Sequence, residues 1–179
     1  MIRYRAVLYM SRSYVPWICY WTFSAFQMRF APLLSLLVVA AILQVEYRER
    51  KFAPMDLVMF GYSLMAICFN YLTPLKWFLT GDGYFGYGVL TAMAWLSLLL
   101  RKPFAIYYLE KEPVRTEWDH RTAVYFSAVW SIVFLISTVI FLLIQRPTVA
   151  VISSNVFVFF GIVISLRLLY IPEYFINNI

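Results

Sequence analysis

Hydrophobic residues follow one another in long continuous runs along this chain, and charged residues lie almost entirely between the runs. A helix needs about 20 apolar residues to cross the hydrocarbon core of a bilayer, with a range of about 17–25. Backbone groups in that core must hydrogen bond within the protein, and these runs do not alternate between apolar and polar, so they predict helices and not a barrel. The runs cover residues 13–28, 30–45, 57–75, 83–100, 122–145 and 147–166. The sequence therefore predicts an all-α polytopic transmembrane helical bundle, with residues 1–179 as a single domain.

The first two runs are shorter than the others, and the first one has two interpretations. Tyr47 and the stems of the flanking residues can extend the run 30–45 to the length of a span. The run 13–28 carries Pro16 near its start, and its aromatic side chains suit an interfacial belt as well as a span. These aromatic residues are Tyr14, Trp17, Tyr20 and Trp21. We therefore expect about six spans, or five if the first run lies at the interface.

The distribution of lysine and arginine favours six spans. With six crossings, 12 of these residues lie on one side of the membrane and 3 on the other, whereas five crossings give 9 against 6. Basic residues in short loops concentrate on the cytoplasmic side, and acidic residues contribute little to this bias. We therefore expect both termini to lie in the cytoplasm.

The overall composition agrees with a membrane protein. Hydrophobic residues make up 63% of the 179 residues and charged residues 13%, whereas soluble domains carry about 25% charged residues. The formal net charge is +6. This charge does not indicate nucleic-acid binding, because an excess of arginine and lysine is expected beside the cytoplasmic leaflet.

The longest connector is the charged segment 101–121, on the predicted cytoplasmic side. Pro103 can open a helix at its first position, and the aromatic residues that follow then share one face. This pattern predicts a short amphipathic helix over residues 103–110 at the membrane surface, with an irregular loop and aromatic anchors as the alternative. The predicted contacts with lipids or with a partner are Arg101, Lys102, Phe104, Tyr107, Tyr108, Lys111 and Arg115.

Few residues in the chain have the pattern of an active site. The stretch GDGYFG at 81–86 matches a dinucleotide-binding motif, but it follows a predicted membrane helix and not a strand, so it is interpreted as a flexible turn. His120 is the only histidine. With Glu117 and Asp119 it could form an acid–base cluster for headgroup chemistry, whereas a solvated loop is the simpler interpretation. We expect no catalytic residue, no cofactor and no metal site.

Polar side chains inside the predicted spans are few and neutral. Asn70 and Asn155 are the strongest of them. We expect both to face the bundle interior, because an amide without a partner in hydrocarbon costs several kcal/mol. Hydrogen bonding between helices is the expected role, and a polar permeation path is the alternative. No Asp, Glu, Lys or His lies at mid-depth of a predicted span, which argues against a proton-coupled pump.

Four short motifs carry a resemblance to a known family. They are SLLLRKPFAIYYLEKEP at 97–113, AILQVEYRERKF at 41–52, LKWF at 75–78 and AVWSIVFLI at 128–136. These motifs resemble the intracellular septation protein A family, over about residues 14–172, and a related group of membrane proteins with an Arg-Pro-Phe motif is similar to the same degree. The N-terminal extension and GDGYFGYG depart from the family's pattern. The resemblance implies a multi-pass protein of the bacterial inner membrane, associated with the cell envelope and division, and it implies no catalytic residue.

The leading functional hypothesis is a non-enzymatic inner-membrane protein that acts through helix packing and its basic cytoplasmic loop. The expected partners are membrane lipids, and other inner-membrane proteins or a second copy of the chain. A small transporter or channel subunit is the second hypothesis, which a mid-membrane charge or a polar cavity would favour. A membrane enzyme that acts on lipid headgroups is the third, which a buried carboxylate beside His120 would favour.

Overall fold

The computed structural model describes residues 4–26, 28–72, 76–110, 119–144 and 146–170. Every regular element in these ranges is helical, which confirms the all-α prediction. Helix α3 continues directly into a π-helical turn, Cys68–Leu72. The α-helices are α1 Tyr4–Ala25, α2 Ala31–Glu49, α3 Pro54–Ile67, α4 Lys76–Leu99, α5 Ile106–Leu109, α6 Asp119–Leu143 and α7 Pro147–Tyr170.

Prolines and a left-handed residue mark several helix boundaries. Pro54 begins α3 and Pro147 begins α7, at a position where the missing N–H of proline removes no helical hydrogen bond. Helix α2 ends at Arg50, whose φ of 52° lets its N–H donate to the carbonyls of Glu46 and Tyr47. The connections on both sides of α2 are short, so consecutive helices fold back on one another as antiparallel neighbours.

The long helices of the described residues form a closed bundle. Helix α1 packs against α2 and α7, and α2 packs against α3. The largest interface joins α4 and α6, and α6 also packs along α7. Contacts between α3 and α4 close the ring, while the single turn α5 lies against α1 and α6.

Four helices are long and apolar enough to cross a membrane, which is compatible with an integral membrane protein. The apolar part of α4, Gly83–Leu99, is shorter. Many large apolar side chains of these helices point outward, as expected where lipid and not water surrounds the protein. The four candidate spans are Ala31–Glu49, Pro54–Leu72, His120–Leu143 and Pro147–Leu168. The total of six spans stays a prediction.

The first apolar run of the sequence lies at the centre of the bundle. It forms the second half of α1, which is not one of the four candidate spans. Its aromatic residues recur at spacings of three and four, so they share one face of the helix. That face packs against rings on α3, α4 and α6 and not against lipid headgroups. The residues Tyr14, Trp17, Tyr20 and Trp21 are all between 0% and 3% exposed.

The glycine-rich stretch forms part of a helix, so its interpretation as a flexible turn is wrong. Helix α4 runs from Lys76 to Leu99 without interruption. A Cβ atom at Gly83 would lie 2.1 Å from Cδ1 of Phe141, and one at Gly86 would lie 3.0 Å from Cζ2 of Trp21. These two glycines therefore allow close approach of α4 to α6 and α1, which is the role of small residues in membrane helix packing.

Candidate functional site

One end of the bundle carries most of the positive charge, and we call it the basic end. It is the end at which α1 and α3 begin and α2 and α4 end. By their positions in the helices, Arg29, Lys76 and Arg146 lie toward the opposite end. The described basic residues of the basic end are Arg5, Arg12, Arg48, Arg50, Lys51, Arg101, Lys102, Arg121 and Arg167.

Two carboxylates lie fully buried at the basic end, inside the candidate spans α2 and α3. Glu46 is 1% exposed and Asp56 is 0% exposed. The Nη2 atom of Arg12 donates to Oε1 of Glu46 at 2.9 Å, and the backbone N–H of Ala53 donates to Oε2 at 2.8 Å. Arg12 within α1, Glu46 at the end of α2 and Ala53 directly before α3 therefore form one polar cluster.

Asp56 is less completely paired than Glu46. The hydroxyl of Ser13 donates to its Oδ2 atom at 2.7 Å. Its Oδ1 atom is buried and has no hydrogen-bond partner among the described residues. The carboxyl group of Glu46 lies beside Asp56, so two acidic groups adjoin one guanidinium in this cluster.

The segment that contains α5 covers this cluster. The backbone N–H of Phe104 donates to Oγ of Ser97, and that of Ala105 donates to Oγ of Ser127, each at 3.1 Å. At the end of the segment, Nζ of Lys51 contacts Oε2 of Glu110 at 3.2 Å. The segment is therefore fixed to α4, to α6 and to the connection between α2 and α3.

Tyr108 in α5 points toward the buried carboxylates. It is 1% exposed, and its hydroxyl has no hydrogen-bond partner in the described part of the chain. Burial raises the pKa of the Tyr108 hydroxyl well above its ordinary value, and the nearby carboxyl of Asp56 raises it further. Burial also raises the pKa of Tyr107, with smaller contributions from Glu46, Glu49 and Asp56. Both phenols are therefore held neutral over the acidic pair.

The predicted lipid and partner contacts divide into surface and interior residues. Arg101 and Lys102 are exposed, and Tyr107 is partly buried. Phe104 and Tyr108 are buried, at 2% and 1% exposure. Their rings pack inside the bundle because α5 is a single turn fixed between α1 and α6, in contrast to the predicted amphipathic helix on the membrane surface. Lys111 and Arg115 lie outside the described residues.

The predicted intramembrane amides are not the most buried polar groups. Asn70 is partly buried, and its Nδ2 atom donates to the carbonyl of Ala66 in its own helix at 2.8 Å. Asn155 is also partly buried, whereas its neighbour Ser154 is 1% exposed. Both amides therefore lie at the edge of the bundle core.

Hydroxyl groups form the polar centre of the bundle. The hydroxyls of Tyr14 and Tyr87 hydrogen bond to each other, and that of Tyr87 donates to Oγ of Ser154 at 3.3 Å. The ring of Trp21 stacks on that of Tyr87 with their centroids 3.8 Å apart. Sequence reasoning missed this cluster because tyrosine and tryptophan also indicate the membrane interface. Their three-and-four spacing on α1 was the available signal.

A pocket opens on the outward face of α1 at the basic end. Arg5, Leu8, Tyr9 and Arg12 line it, and its volume is about 320 Å³. The guanidinium of Arg12 lies over the ring of Tyr9, 5.0 Å from the centroid, which is a cation–π geometry. Two guanidinium groups beside an exposed leucine suit a ligand with an anionic and an apolar part.

The residues considered for catalysis do not come together in the described part of the structure. His120 is exposed at the start of α6. Glu117 lies outside the described residues, and of Asp119 only the backbone is described. No group of three or more His, Cys, Asp or Glu side chains that could hold a metal ion occurs in the described ranges.

Comparison of the chain with known protein families, curated proteins and solved structures finds no match. The resemblance to the septation protein A family therefore stays a prediction.

Proposed function

We propose that this chain is a multi-pass protein of the bacterial inner membrane that acts without enzymatic chemistry. In this proposal its basic end contacts anionic lipid headgroups and neighbouring membrane proteins. The resemblance to septation-type proteins supports only the location in the inner membrane. All six long helices cross the bilayer, and both termini lie in the cytoplasm. The supporting observation is the concentration of basic residues at one end of the bundle, where an anionic leaflet attracts each of them by about 1 kcal/mol.

The outward face of α1 has the features of a phospholipid site. Arg5 and Arg12 line the pocket at its basic end, with Leu8 between them. Farther along the same face, Val15 and Ile18 are exposed. A phosphate group held by the two guanidinium groups would place an acyl chain along this apolar stripe, which matches the two parts of an anionic phospholipid.

Substitution of Arg5 tests this function without disturbing the buried cluster. The purified protein is placed in nanodiscs of phosphatidylglycerol or of phosphatidylcholine, and its Tm is measured in each. We expect a higher Tm in the anionic lipid, a smaller difference for Arg5→Gln, and a smaller difference in high salt because surface charges are screened. Arg146→Gln, an exposed arginine at the opposite end, is the matched control, and it should reduce the difference less than Arg5→Gln because it lies outside the pocket on α1. An equal Tm of the wild type in both lipids would contradict the proposal.

A small transporter or channel subunit is the second candidate function. Buried ionisable groups inside candidate spans favour it, because such groups are costly in a membrane and usually mark ion or proton pathways. Glu46 and Asp56 are groups of this kind. Proteoliposomes that contain a pH-sensitive dye test this candidate. Proton or cation flux that is present with the wild type and absent with Asp56→Asn would support it, and no flux above empty vesicles would reject it.

A further inference from the structure

The charges around Asp56 do not balance if both buried carboxyl groups are ionised. Arg12 of α1 is the one basic side chain that contacts them among the described residues, and it pairs with Glu46. Helix α5 contributes the neutral phenols of Tyr107 and Tyr108. Glu49 on α2 adds further negative charge from the surface. Two ionised carboxylates would therefore leave one buried negative charge without a counterion among the described residues, which is strongly unfavourable in a low-dielectric interior.

One of the unpaired atoms of the cluster belongs to Asp56, and a proton on it would remove this imbalance. Oδ1 of Asp56 is buried without a hydrogen-bond partner, and such an atom in a folded protein calls for a specific explanation. The neighbouring Glu46 accepts one hydrogen bond at each of its oxygens. Each carboxylate oxygen can accept a second, so Glu46 retains the capacity to accept from a protonated Asp56.

We propose that Glu46 and Asp56 share a single proton and form a proton-binding site at the basic end of the bundle. The proton lies between Oδ1 of Asp56 and a carboxylate oxygen of Glu46, and Arg12 balances the one remaining negative charge. Like-charged carboxyl groups in contact retain a proton for the same reason in other buried acid pairs. No other bond forms or breaks when the proton binds.

The segment with α5 closes this site from the basic end. Tyr108 lies above Asp56, and the contacts of the segment with Ser97, Ser127 and Lys51 keep it in place. Loss of the proton would leave a second buried negative charge beside the segment, and Arg12 compensates only the first. The folded protein therefore binds a proton that the unfolded chain releases at neutral pH, and its stability must fall as the pH rises.

Infrared spectroscopy of the full chain in nanodiscs detects the proton directly. We expect the carbonyl band of a protonated carboxylic acid at neutral pH, and its loss in Asp56→Asn. Asparagine is neutral and similar in shape, and its amide can donate to Glu46, so this variant should fold. Glu110→Gln is the matched control, because Glu110 is an exposed acid in an ion pair, and it should retain the band. Absence of the band from the wild type, or its persistence in both Asp56→Asn and Glu46→Gln, would overturn the proposal.

The dependence of Tm on pH provides a second measurement. The wild-type Tm should fall as the pH rises from about 4, the ordinary pKa of an aspartate side chain, toward neutral, whereas the Tm of Asp56→Asn should lack this decrease. The lipid test with Arg5→Gln leaves the acidic pair intact, so failure of either proposal is distinguishable from failure of the other. Stabilisation of the wild type by Na⁺ that disappears in Asp56→Asn, without an acid band, would assign the site to a metal cation and overturn the proton assignment.

Discussion

Helices α1 and α7 lie side by side and have similar lengths, 22 and 24 residues, but their surroundings differ. Only 28% of the candidate span in α7 is buried, and its hydropathy is high. Helix α1 contains arginines, tyrosines and tryptophans and is not one of the four candidate spans, yet its aromatic face is the centre of the bundle. High hydropathy thus identifies helices that suit lipid, whereas amphipathic aromatic residues suit a protein interior where hydroxyl and indole groups find partners.

The largest test of this comparison asks whether α1 crosses the membrane at all, as α7 is expected to do. We expect reporter fusions at the N-terminus and at Ile179 to give signals from the same side, the cytoplasm. The reason is that six alternating helices return the chain to its starting side, with the basic end facing inward. Signals from opposite sides would show that the number of crossings is odd, and α1 would then be an interfacial or internal helix.

Truncation of one aromatic side chain in each helix compares their contributions to stability. Trp17→Ala in α1 should lower the free energy of unfolding by about 3–5 kcal/mol, because the fully buried ring leaves a cavity. Phe159→Ala in α7 removes a ring that is 62% exposed, and surface changes of this kind cost about 0.5 kcal/mol or less. Reversible unfolding in detergent micelles measures both values. Similar losses in the two variants would refute the assignment of the bundle centre to α1.

The helices were largely predictable from the sequence, but the contacts between helices were not. Continuous apolar runs predicted the helices, and charges and prolines marked their ends. Gly83 and Gly86 were misread because glycine is typical both of turns and of close contacts between helices. Only the rings of Phe141 and Trp21 opposite them distinguish the two roles, and these rings belong to helices that are distant in the sequence.

The candidate site was less predictable, because each member has an ordinary local explanation. Asp56 is a normal first-turn acid of α3, and Glu46 lies in the last turn of α2. Glu46 pairs with Arg12, 34 positions away, and Asp56 accepts from Ser13, 43 positions away, so both contacts depend on how the helices pack. Nothing local to either acid distinguishes a solvated helix end from a buried one. Once the hairpin register is known, the coincidence of two acids and one arginine becomes visible.

Two ion pairs at the basic end allow the same comparison of buried and exposed side chains for charged residues. Arg12→Gln should lower the free energy of unfolding by about 1.5–3 kcal/mol, the range for hydrogen bonds to charged groups, because Glu46 stays buried. Lys51→Gln breaks a pair whose side chains are both 40% exposed, so we expect a loss of about 1 kcal/mol or less. Urea titration of both variants in micelles gives the two values. An equal or larger loss for Lys51→Gln would mean that burial does not determine how much these ion pairs contribute to stability.

The smallest predicted effect compares two faces of one helix, α4. Gly88→Ala places a methyl group where no atom lies within 4 Å, so it should stabilise the protein by up to about 1 kcal/mol through higher helix propensity. Gly83→Ala has the same gain in propensity, but its Cβ would lie 2.1 Å from Cδ1 of Phe141. Overpacking of this kind costs about 1–3 kcal/mol. Because the Phe141 ring, packed between α4 and α6, must shift to accept the methyl group, the overpacking cost should exceed the gain in propensity, with a net loss of about 1–2 kcal/mol. Thermal unfolding of the two variants in the same detergent measures the difference in sign. Stabilisation by Gly83→Ala would show that α4 does not approach α6 closely at this position, and the close interface between these two helices would then have to be rejected.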